Sequence, residues 1–160
     1  MRTVALGVVL VLAGCARMPT QPNLVASDVI SVQMGGGPFC FPCTYDEMTI
    51  RRDGRITRKR WSWHGVIRER RLLASERKRI PLKQVARIRS ALVTYRPNGL
   101  RVVEGDGACV PDQGDGSITW KDQTEDQLTF DLGCSGVALS ELRATLLSVS
   151  DLAGVEPIRW

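Results

Sequence analysis

Residues 45–63 read YDEMTIRRDGRITRKRWSW, and the way they alternate decides the fold. Tyr45–Arg52 alternates around Met48 and Ile50, Asp53-Gly54 follows, and Arg55–Trp63 resumes the alternation. Two β-rich runs joined at Asp-Gly are the strongest short-range hairpin signal a sequence carries. Because side chains in a strand point alternately to either face, Arg58 and Arg60 share one face, and Lys59, Trp61 and Trp63 share the other.

The pattern extends outward from this hairpin. Asp28–Met34 (DVISVQM) is β-rich and is broken by Gly35-Gly36-Gly37-Pro38. Val66–Ala74 supplies a further strand, so three or four antiparallel strands follow one another. The period changes at Pro81. Leu82, Val85, Ile88, Leu92 and Tyr95 recur at three- and four-residue steps, one face of a helix. Proline at the first helical position suits its start, and Pro97-Asn98-Gly99 ends it. A Gly- and Asp-rich loop over 104–116 leads to a second hairpin, Ser117–Lys121 and Gln127–Leu132, turning near Asp122–Asp126. Leu139, Leu142, Leu146 and Val149 mark a second helix, closed at Asp151–Gly154. The expected order is ββββ-α-ββ-α: an α+β domain over 28–160, an antiparallel sheet with two helices packed on one face.

Ahead of the domain, Met1-Arg2 and the apolar run 3–14 have the layout of an export signal. The run is too short for a bilayer-spanning helix, which needs about 20 residues. Leu12-Ala13-Gly14-Cys15 resembles a bacterial lipobox. The resemblance implies that 1–14 is a lipoprotein signal peptide and that the Cys15 thiol takes a diacylglyceryl group. Cleavage before Cys15 leaves it as the first residue, followed by a Pro-rich tether to residue 27. Ala16, rather than Asp, implies the outer membrane, facing the periplasm.

With Cys15 set aside as a lipid acceptor, Cys40, Cys43, Cys109 and Cys134 remain, in an oxidising compartment where disulfides persist. Cys109 precedes the second hairpin and Cys134 ends it, so the expected bridges are 40–43 and 109–134. Two other uses of these cysteines compete with this reading. Cys40-Phe41-Pro42-Cys43 has the spacing of a redox dithiol, but no helix is expected to start at it to stabilise a thiolate. A zinc site usually shows two close cysteine pairs, and only one is present.

Charge divides the domain in two. Residues 28–96 carry net +10 and residues 97–160 net −7. Arg51, Arg52, Arg55, Arg58, Lys59 and Arg60 form a candidate surface for an anionic envelope component such as lipopolysaccharide, phospholipid head groups or an acidic polymer. The plainer reading is a solvated strand face partly neutralised by the acidic half. Trp61 and Trp63 fit sugar stacking, although covering the sheet core is the plainer role. His64 is the only histidine, and no catalytic triad or His-rich metal site can be assembled around it. Glu104, Asp106, Asp112 and Asp115 miss the register of a calcium loop and match ordinary turn chemistry. An exported chain excludes nucleic acid as a partner, and nothing calls for a cofactor.

Several of these features together resemble the uncharacterised bacterial DUF6438-type domain. They are the Gly-rich stretch and cysteine pair over 35–43, the Tyr45 strand running into Asp53-Gly54, the helix over 81–96, and the Leu-rich helix over 138–150 ahead of Trp160. The resemblance implies the same α+β fold and brings no activity with it. The sequence thus describes a non-enzymatic, lipid-anchored binding or scaffolding domain. A redox-active envelope protein using Cys40 and Cys43 is the alternative.

Overall fold

The computed structural model describes residues 28–36, 43–64, 69–110 and 113–157. The signal peptide, Cys15, the tether, Cys40, Asp112 and Trp160 lie outside the described residues. The elements are β1 (Val29–Gly35), β2 (Cys43–Arg51), β3 (Arg55–His64), β4 (Glu69–Arg79), α1 (Leu82–Val93), β5 (Leu100–Val103), β6 (Asp115–Lys121), β7 (Glu125–Asp131) and α2 (Val137–Ala153). Among the described residues, no helix is long and apolar enough to cross a membrane.

The strands form one seven-stranded sheet in the order β4-β3-β2-β1-β6-β7-β5. The first four make a meander, and the second hairpin docks on β1 through β6, antiparallel. Alternation sets which residues face the helices. Ile30, Val32 and Met34 lie opposite Ile50, Met48 and Asp46 on one side and Trp120, Ile118 and Gly116 on the other. The apolar members of these rows are buried against Val85, Ile88 and Leu92 of α1 and Leu139, Leu142, Leu146 and Val149 of α2. Both helices therefore cover a single face of the sheet, and among the described residues no helix or strand lies over the opposite, outer face.

The element order differs from the expected one by a strand. β5 lies between α1 and β6, and it pairs in parallel with β7 at the sheet edge. The turn ahead of it is latched. The Gly99 N–H donates to an Asp126 carboxylate oxygen at 2.9 Å, and the Gln127 N–H donates to the Gly99 carbonyl at 2.9 Å. Two smaller differences follow from local chemistry. Pro81, with ψ at 143°, caps α1 from outside, so Leu82 is the first helical residue. The first hairpin turns through 52–54, with Gly54 at φ 86°. A Cβ there would lie 2.4 Å from the Ile80 carbonyl oxygen, which makes glycine obligatory on steric grounds as well. Gly154 caps α2 in the left-handed region, as its position in the sequence suggested.

The charged residues of the second hairpin make its tip sensitive to acid. The Arg96 guanidinium donates to both Asp122 carboxylate oxygens, at 2.7 and 3.1 Å, and to Asp126 at 2.6 Å. The Arg96 hydrogen bonds, then the Thr124 N–H, hold the Asp122 carboxyl well below the usual carboxylate range. The Gly99 N–H, then Arg96, lower that of Asp126. Groups whose pKa is lower in the folded chain stabilise it above their unfolded value, near 4, and that stabilisation is lost as pH falls through the folded value. Stability is therefore expected to fall below about pH 4. Asp122→Asn should flatten this acid limb in urea unfolding midpoints measured from pH 2 to 7, and an unchanged limb would remove Asp122 from the account.

Candidate functional site

The six cations singled out in the sequence do not form one surface. Arg58 and Arg60 point to the helix side, where Asp46 lies directly across from Arg60. Arg58 and Asp46 are both buried and pair at 3.1 Å. Arg60 pairs with Asp46 at 3.2 Å, and Glu156, following α2, pairs with Arg58 at 3.1 Å. These cations are internal counter-ions that tie the segment after α2 to the sheet, and they are not a docking surface for an external anion. Their position has a topological reason. Ile56 is the last inward residue of β3 in the core, and beyond it Arg58 and Arg60 meet, among the described residues, Asp46 and the chain after α2 at Glu156 and Pro157. Arg52 leaves the set as well, at the turn and 3.5 Å from Asp28.

Arg51, Arg55 and Lys59 remain together on the outer face, and β4 adds Arg77 opposite Thr57. With Glu47, Thr49 and Thr57 they line a shallow basin of about 450 Å³. Glu47 is its single acid. Arg55 also pairs with Asp53 at 2.6 Å, and the Arg55 backbone N–H, first among several causes, lowers the Asp53 carboxyl from its ordinary value. Arg77 and Lys59 have no carboxylate partner among the described residues.

The aromatic residues continue this face along the same strands. Trp61 lies across from Tyr45, and their rings stack with centroids 6.2 Å apart and planes 15° from parallel. The Lys59 ammonium lies 5.7 Å from the Trp61 ring centre. From β4, the Arg70 guanidinium sits 4.7 Å from the Tyr45 ring centre and 5.2 Å from that of Trp61. Such cation–aromatic contacts fix a guanidinium while leaving its N–H edges available. Trp61 and Trp63 are half-buried on the face away from the helices, so they do not cover the core. Gly35 completes the row. A Cβ there would come within 2.7 Å of the Tyr45 Cβ, so only glycine lets the Tyr45 side chain lie down across β1.

Sequence reading placed Lys59, Trp61 and Trp63 on one face but missed Tyr45, Arg70 and Arg77. Tyr45 was within reach, because a hairpin turning at Asp53 sets it opposite Trp61. Arg70 was not, because the β3–β4 register shifts between Arg60 and Trp61.

Three cysteines lie among the described residues. Cys109 and Cys134 are joined by a disulfide that ties the strap before β6 to the segment after β7. Cys43 opens β2, is buried and is disulfide-bonded. It begins a strand, and among the described residues no helix starts there to stabilise a thiolate. Glu104 and Asp106 are exposed on the strap and Asp115 opens β6. Among the described residues, no cluster of His, Cys, Asp and Glu is placed to hold a metal ion.

No family model matches the chain, and no curated protein matches it either.

Proposed function

We propose that this chain is an exported, lipid-anchored, non-enzymatic protein that presents the outer face of its sheet to an anionic component of the cell envelope. In this reading Cys15 carries the lipid, residues 16–27 are the tether, and the outer membrane facing the periplasm is the location. One observation supports the ligand face. Arg51, Arg55, Lys59, Arg70 and Arg77 share a single open face of β2, β3 and β4, beside the Tyr45–Trp61 stack and with little acid among them. A sheet face that only had to be solvated would intersperse the two signs, whereas one sign concentrated on one face steers anions toward it.

The test is binding of the detergent-solubilised chain to lipopolysaccharide, phosphatidylglycerol vesicles and acidic polysaccharide, at low and high salt. At least one should bind, more weakly as salt rises. Replacing Arg55, Lys59 and Arg77 together by glutamine should weaken it about tenfold or more, since each tenfold corresponds to about 1.4 kcal/mol. Failure of all three anions to bind would overturn the reading.

A further inference from the structure

Next to the cationic basin, the outer face holds an open pocket of about 570 Å³ that runs across the sheet from β4 to β7. Its walls differ from those of the basin. Tyr45 and Trp63 bring flat apolar rings, and Gln33, Ser117, Gln127 and Thr129 bring uncharged hydrogen-bonding groups from β1, β6 and β7. Gly35 and Gly36 leave the backbone bare beneath them. One cation, Arg70, lines the pocket opposite one acid, Asp115.

We propose that this pocket takes a carboxylated sugar unit of an acidic polysaccharide, an inference that rests on the ligand face proposed above and narrows it to one ligand class. Three observations lead there. First, the Arg70 guanidinium is held against two rings and has no ion-pair partner among the described residues. A planar fork fixed in this way matches the two oxygens of a carboxylate. Second, the Tyr45 hydroxyl is buried with no hydrogen-bond partner. Buried hydroxyls of this kind normally have one, and the residue that carries this one lines the pocket. Third, rings, amides and hydroxyls around a glycine floor suit a flat ligand with apolar faces and a polar rim, which is the surface of a pyranose. A phosphate or lipid head group would use Arg70 but leave the Trp63 ring and the amides idle.

The experiment titrates the full-length chain in detergent with short oligouronides of galacturonate, mannuronate, guluronate and glucuronate. Their neutral methyl esters, a neutral tetrasaccharide and phosphatidylglycerol vesicles serve as comparisons, and binding is read by tryptophan fluorescence and calorimetry. At least one oligouronide should bind, and its methyl ester should bind at least tenfold more weakly. Trp63→Ala and Arg70→Gln should each weaken binding by tenfold or more, and Tyr45→Phe by several-fold. Arg70 lies exposed on an edge strand, so its variant reports on binding even if Trp63→Ala disturbs folding. Equal binding of the methyl ester, no binding of any oligouronide, or unchanged affinity in Arg70→Gln would each overturn the inference. Vesicle binding alone, lost with Arg55, Lys59 and Arg77, would overturn this ligand class while leaving the broader anionic reading standing.

Discussion

Asp46→Ala is expected to lower the unfolding free energy by about 3–5 kcal/mol, the usual cost of removing one partner from a buried ion pair. Asp46 accepts hydrogen bonds from both Arg58 and Arg60, and the side chains of Asp46 and Arg58 are only 5% and 7% exposed. Without this carboxylate, two guanidiniums face the end of the core with Glu156 as their remaining acid partner among the described residues. That residue is 46% exposed, and it lies 3.1 Å from Arg58 and 3.6 Å from Arg60. The Arg58 Nε is already without a hydrogen-bond partner, and the other acceptor given to this guanidinium among the described residues is the Pro157 carbonyl, at 3.4 Å. The cost is that of an uncompensated buried charge and does not measure the net worth of the pair. Asp46→Leu combined with Arg58→Met should therefore recover much of the loss. Urea midpoints of the two variants beside the parent test this, and equal losses in both would contradict it.

Phe130→Ala is expected to cost about 3–5 kcal/mol, the range for deleting a buried aromatic side chain. Phe130 is 1% exposed, and its ring lies over Gly116 of the neighbouring strand. A Cβ at Gly116 would come within 2.2 Å of that ring. Gly116→Ala alone should therefore destabilise through overpacking, by about 1–3 kcal/mol. In the Phe130→Ala background, however, the added methyl enters the vacated space. The double variant should be more stable than the sum of the two losses predicts. Additive losses would mean that the ring and the glycine do not share the space as described.

Both hairpins and both helices were legible because each buries one face, so its apolar residues recur with the period of the element. Ile118 and Trp120 pair with Leu128 and Asp126 in a register that follows directly from their alternation. β5 was not legible. Four residues at a parallel edge, with Leu100, Arg101 and Val102 exposed, carry no burial pattern to read. The length of β4 was hidden for a similar reason. Arg70 through Arg79 are exposed whichever way they point, so ASERKR reads as a charged loop although it pairs throughout with β3. Charge at such an edge also blocks further strand pairing.

The candidate surface was legible in part. Alternation separated Arg58 and Arg60 from Lys59 and Trp61, but it does not say which side the helices cover. Hydrophobicity suggested the tryptophan side. The fold does the reverse: Ile56 continues inward to two arginines, neutralised by Asp46 and Glu156. The signal was present in the register of the first hairpin, which sets Asp46 opposite Arg60 as it sets Tyr45 opposite Trp61. Arg70 and Arg77 come from β4, whose register depends on an irregularity that no local pattern announces.

In the proposed function, the outer face of the sheet, and not the helical side, meets the envelope. Site-specific photocrosslinking in living cells tests it directly, with the probe placed in turn at Lys59 on the outer face and at Arg87 on the exposed side of α1. A discrete crosslinked product is expected from position 59 and none from position 87. A product from position 87 alone, or equal products from both, would contradict it.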